Sequence, residues 1–189
     1  ATAADNIAWL GGTQTTAGST PDNLNQSTAE AIEWSSVSLD SSVFSHAGGA
    51  PERLVVEKDG DYLVAVTVPV ESLYDDGNGS RTCIRAQVFK NGTAVPSAIG
   101  TSAYIRNDYN QNNHSESSCH IAALLSGLSS NDYIEVRVLG ITDTADDSTY
   151  EVNVSGQASL YAERIPSSRI AFAGTASQTT DGVNLNQVT

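Results

Sequence analysis

The sequence predicts an all-β protein built as an antiparallel sandwich. Short runs rich in β-branched and aromatic residues recur at regular intervals, and Gly, Asn, Asp and Ser cluster between them. No segment shows the periodicity of an amphipathic helix. Charged residues make up only 16% of the 189 and glycine numbers 15, as suits short strands joined by polar turns.

Residues 1–28 read as an extended leader rich in Thr, Gly and Asn, whose one apolar word, Ile7 to Leu10, is too small for a core of its own. Ile32-Glu33-Trp34 opens the strand series and Leu54-Val55-Val56 continues it. After the turn Lys58-Asp59-Gly60-Asp61 comes Tyr62 to Val70, the strongest strand. Its apolar residues are too dense for a half-exposed edge, which predicts a central position. Pro69 cannot donate to a ladder and is expected to mark the end of pairing. Cys83 to Phe89 alternates, with Ile84, Ala86 and Val88 on one face and Arg85 and Gln87 on the other. Asn91-Gly92 is a tight-turn signal, because both residues tolerate positive φ. Ala103 to Ile105, Cys119 to Leu125 and Tyr133 to Val138 are further strands, the last with Ile134, Val136 and Val138 inward. Tyr150 to Ile165 is the last long strand region. The expected organisation is a leader over 1–28, one domain over 29–165 and a connector over 166–189.

Several words, weak singly, are specific in series. Ile32-Glu33-Trp34 precedes Phe44-Ser45, and Arg53-Leu54-Val55-Val56 precedes Asp59-Gly60-Asp61-Tyr62-Leu63-Val64. Phe89-Lys90-Asn91-Gly92, Leu128 to Val136 and Ala158-Ser159-Leu160-Tyr161 follow in turn. This order resembles the C1q/TNF-like jelly roll, in the version found in phage tail, fibre and capsid-appendage proteins. Asn131 stands where that family usually has glycine, a mild departure because Asn also adopts the left-handed conformation. The resemblance covers residues 29–165. It says nothing about the flanks, and implies a trimer of jelly rolls in a structural or recognition role. The extended terminal segments are read from the sequence itself, and the expected assembly is a homotrimer or larger array. The collagen-like stalk of animal members is missing, so their complement and hormone roles are not implied.

The net charge of −13 would repel phosphate backbones and anionic lipid, which disfavours nucleic acid and membrane surfaces as partners. No apolar run approaches the roughly 20 residues that span a bilayer. His46, His114 and His120 are scattered, and there is no Gly-x-Ser-x-Gly elbow. The expectation is a non-enzymatic protein with no catalytic residues.

Two acidic loops, one with Asp75, Asp76 and Asn78 and one with Asp143, Asp146 and Asp147, offer oxygen ligands for calcium. The competing reading is turns rich in Asp and Asn because these residues make good turns. No other cofactor is expected. Cys83 and Cys119 are either one disulfide, which would imply an oxidising compartment, or two small buried hydrophobes.

The chain also starts over before it ends. Ile7-Ala8-Trp9-Leu10-Gly11, Gln14-Thr15-Thr16, Asn23-Leu24-Asn25-Gln26 and Thr28 are echoed by Ile170-Ala171-Phe172-Ala173-Gly174, Gln178-Thr179-Thr180, Asn184-Leu185-Asn186-Gln187 and Thr189. Repeats of this kind belong to modular arrays. Ile7, Trp9, Leu10, Ile170 and Phe172 are therefore the candidate assembly residues. Either residues 166–189 connect to a further tandem jelly roll, or each terminus docks in a similar environment, on its own body and on a neighbour's, adding a strand to a sheet edge. The functional expectation is a structural protein of a virion or surface appendage, at the virion surface or otherwise extracellular, that binds itself and other virion or surface proteins. One alternative is a carbohydrate-binding module of a secreted bacterial protein, with Tyr104 and Tyr109 as candidate contacts to a glycan receptor, although aromatic residues are only 6% of the chain. Another is a secreted filament subunit joined by strand exchange.

Overall fold

The computed structural model describes residues 6–15, 23–72, 80–107, 115–143, 146 and 150–166. The described residues form thirteen strands and no helix. These are β1 (Ile7–Gly12), β2 (Gln14–Thr15), β3 (Glu30–Glu33), β4 (Ser36–Leu39), β5 (Phe44–Ser45), β6 (Leu54–Val56), β7 (Gly60–Ser72), β8 (Ser80–Lys90), β9 (Thr93–Asn107), β10 (Glu116–Leu128), β11 (Tyr133–Gly140), β12 (Val152–Val154) and β13 (Ala158–Ile165).

Two antiparallel sheets pack face to face. The first runs β10-β7-β13-β1-β4, with β12 continuing the line of β13 along β7. In the second, β11 pairs β8 on one side and both β6 and β3 on the other, while β9 lies beyond β8. Placing β1-β13-β7-β10 over β6-β11-β8-β9 gives the jelly-roll order. Successive long strands cross between the layers, apart from the β8–β9 hairpin. The C1q/TNF-like jelly roll that the sequence resemblance implied is thus the fold.

Alternation builds the core. Ile84, Ala86 and Val88 of β8 and Ile134, Val136 and Val138 of β11 all face inward and are fully buried. Opposite them lie Val64, Val66, Val68 and Val70 of β7 and Leu160 and Ala162 of β13. Trp34, Phe44 and Tyr62 are the bulkiest fully buried side chains, with the Phe44 and Tyr62 rings edge-to-face at 5.6 Å. Each large apolar side chain so buried contributes about 1.5–3 kcal/mol. The Asn91-Gly92 turn forms as expected, with φ of 50° and 73°, and Lys90 pairs with Thr93 across it. Asn131 takes φ 73°, the conformation its replacement of glycine requires.

The structure departs from the sequence reading at four places. Residues 6–15 and 23–28, expected as an extended leader ahead of the domain, are part of the body: β1 lies between β13 and β4, and Leu24 and Asn25 are buried. Pro69 does not end pairing, because β7 continues to Ser72 beside β10. Its missing N–H is tolerated because its carbonyl side faces the break between β12 and β13, where Ser155 N donates to Pro69 O at 3.1 Å. The closing region is two strands rather than one, interrupted beside Gly156 at φ 114°. Finally, β7 is central but covered on one face only, with a burial that alternates along its length.

Candidate assembly surface

Side chains of successive residues leave a strand on opposite faces. Those of the first sheet that point away from the core form a surface of their own. The registers align Ala122 of β10 with Ala65 of β7, Ala65 with Tyr161 of β13, Tyr161 with Trp9 of β1, and Trp9 with Ser38 of β4. One continuous row thus crosses all five strands. The neighbouring row holds Leu124, Leu63, Glu163 and Ile7 in the same manner. Leu124 is 47% exposed, Trp9 41% and Leu63 37%. Glu163 sits on the flank of the apolar row and accepts a hydrogen bond from Tyr161 Oη at 3.1 Å. Burial first, and this carboxylate second, hold the Tyr161 phenol above its usual pKa. On the other flank, His120 contacts Thr67 Oγ1 through Nδ1 at 3.2 Å and Ser118 Oγ through Nε2 at 2.7 Å. The surface is apolar along its central row, with Glu163 on one flank and His120 on the other.

Of the candidate assembly residues, Ile7, Trp9 and Leu10 all lie in β1. Trp9 faces outward on this surface, whereas Leu10 is fully buried and serves the core. Ile170 and Phe172 lie outside the described residues. Tyr161, Leu63, Leu124, Ala65 and Ala122 complete the surface but were not singled out from sequence. The signal was present in β7, which is apolar at Leu63 and Ala65 as well as at its inward positions.

The two cysteines do not form a disulfide. Both are free, because alternation sends them to different places. Cys119 points from β10 into the core, where its thiol donates to Ile84 O at 3.3 Å and burial raises its pKa. Cys83 has the same phase as Arg85 and Gln87, on the outer face of the second sheet, with Tyr104 as its cross-strand partner. Tyr104 is 49% exposed there, and Tyr109 lies outside the described residues.

Asp75, Asp76, Asn78 and Asp147 also lie outside them. Asp143 is exposed. Asp146, at φ 70°, holds the segment around Ser27 in place. Its Oδ1 accepts Ser27 N at 2.9 Å, and its own N donates to Asn25 O at 2.7 Å. Hydrogen bonds from Ser27 lower its pKa. Among the described residues no group of three or more His, Cys, Asp or Glu side chains converges on a metal position.

The second sheet carries a buried carboxylate on its outer face, paired with two partly exposed arginines. Glu135 is 1% exposed and accepts from Arg137 Nη2 at 2.6 Å and Arg53 Nε at 3.3 Å. Arg137 lies over the Phe89 ring at 4.6 Å and Arg53 over Tyr133 at 4.3 Å. Arg137 therefore pairs within its own chain.

No family model matches the chain, and neither does any curated protein. Among solved structures the chain is similar to murine APRIL at pH 8.0, with 13% identity over 83% of this chain and 97% of that one and a TM-score of 0.46. It is also similar to rabbit GITRL, with 14% identity over 69% of this chain and 85% of that one and a TM-score of 0.41. Neither likeness reaches beyond the arrangement of strands, which the registers above establish by themselves.

Proposed function

We propose that this chain is a non-enzymatic structural subunit that self-associates through the open face of its six-strand sheet. The observation that carries the reading is β7, a central strand apolar on both faces of which only one is covered within the chain. Leu63 and Ala65 on its open side continue into Tyr161, Trp9, Ala122 and Leu124. Covering such a face with a second copy removes apolar and aromatic surface from water with little charge to desolvate. The homotrimer is the form that the C1q/TNF-like resemblance implies, and a virion or extracellular surface appendage is the setting that the phage members of that resemblance suggest. No helix among the described residues is long and apolar enough to cross a membrane.

The glycan-binding alternative draws on Tyr104, whose cross-strand neighbour is a cysteine rather than a second ring. Self-association is therefore preferred. Ala65→Arg places a charge at the middle of the open row while leaving the core untouched. It is expected to lower the native mass measured by light scattering without changing the circular-dichroism spectrum. An unchanged mass would remove the face from consideration.

A further inference from the structure

The turn that closes the β8–β9 hairpin holds the one Asn-Gly link among the described residues. A two-residue turn of this kind needs positive φ at both positions, which selects Asn91 at 50° and Gly92 at 73°. The same pair carries a chemical liability. Glycine has no Cβ to shield its amide nitrogen. Gly92 N can therefore attack Asn91 Cγ, forming a five-membered succinimide and expelling Nδ2 as ammonia. Water then opens the ring at either carbonyl, which leaves aspartate or isoaspartate. The fold bears on each atom of that step. Asn91 is exposed, so water reaches it. Its amide, however, is held at both ends by the entry to β11. Oδ1 accepts Tyr133 N at 2.8 Å, and Nδ2 donates to Asp132 Oδ1 at 2.6 Å. Asn91 N donates in turn to Tyr133 O at 3.0 Å. Asp132 is itself fixed by Lys90 Nζ and Ser129 N, each at 2.8 Å. Cγ cannot swing to Gly92 N while these bonds stand.

We propose that Asn91 is a self-modifying site that the fold holds shut: the clasp from Asp132 and Tyr133 suppresses succinimide formation in the folded chain, and opening of this turn alone releases it. The conversion runs one way. Aspartate at position 91 has no N–H to offer Asp132 and sets a second carboxylate against it. Isoaspartate adds a backbone atom to a turn whose flanks, Lys90 and Thr93, are paired in register. A turn that has converted therefore closes less firmly, and converted chains accumulate as a record of past opening. This inference is independent of the open sheet face.

The test follows residue 91 by peptide mapping and mass spectrometry in the full-length protein, incubated in mildly alkaline buffer. The folded chain should convert at least about tenfold more slowly than the same chain unfolded in urea. Asp132→Ala removes one side of the clasp and should speed conversion of the folded chain severalfold. Gly12→Ala disturbs the contact of β1 with Glu33 O, away from this turn, and should leave the rate unchanged. Equal rates in the folded and unfolded chains would overturn the proposal, as would Asp132→Ala without effect. Equal acceleration by Asp132→Ala and Gly12→Ala would also overturn it, because protection would then come from the fold as a whole. Asn91→Asp supplies the product directly and should lower the urea midpoint. An unchanged midpoint would overturn the weakening assigned to conversion.

Discussion

Asp132 shows how one carboxylate joins two turns. It accepts Lys90 Nζ at 2.8 Å, Ser129 N at 2.8 Å and Asn91 Nδ2 at 2.6 Å, while Tyr133 N donates to Asn91 Oδ1 at 2.8 Å. The Lys90 hydrogen bond first, then those from Ser129 and Asn91, lower its pKa from 3.8 to about 2. A carboxylate depressed in the folded state stabilises above its unfolded pKa and loses that contribution as pH falls through the folded value. Asp132→Asn should therefore cost about 1–2 kcal/mol at pH 7 and almost nothing at pH 2. Urea titrations across pH 2–7 would show the two curves converging below pH 4. At Glu135 the asymmetry runs the other way. Arg137→Ala leaves a buried carboxylate with one remaining guanidinium and should cost about 2–4 kcal/mol. Adding Glu135→Gln to it should recover part of the loss, read from a double-mutant cycle.

At the scale of elements, β1 decides whether the amino-terminal segment is body or tail. Gly12→Ala would push β3 aside, since its Cβ would fall 2.0 Å from Glu33 O, and should cost about 1–3 kcal/mol. Gly48→Ala meets nothing within 4 Å and should be nearly neutral. Equal urea midpoints for the two variants would return residues 6–15 to the status of a tail. The same strand marks the limit of what the sequence displays. β8 and β11 were legible because strict alternation is a local property, and the Asn91-Gly92 hairpin because its chemistry sits in two adjacent residues. β1 is six residues ending in Gly-Gly, and β4 is Ser36-Val37-Ser38-Leu39. Both acquire meaning only from partners far along the chain. The same holds for the assembly surface. Trp9 and Tyr161 stand near opposite ends of the chain, yet are directly opposed across strands. Cys83 and Cys119 could be counted from sequence, but only the opposed phases of β8 and β10 show that they do not meet.

For the whole molecule, the double-faced apolarity of β7 and the open row across five strands lead to one expectation: the folded chain is a component rather than a finished particle. Sedimentation equilibrium of the unmodified protein at micromolar concentration tests this most directly. Self-association through that face predicts a native mass of about three times the 19.8 kDa chain, reduced by Ala65→Arg. A species that stays at 19.8 kDa across the concentration range would contradict it.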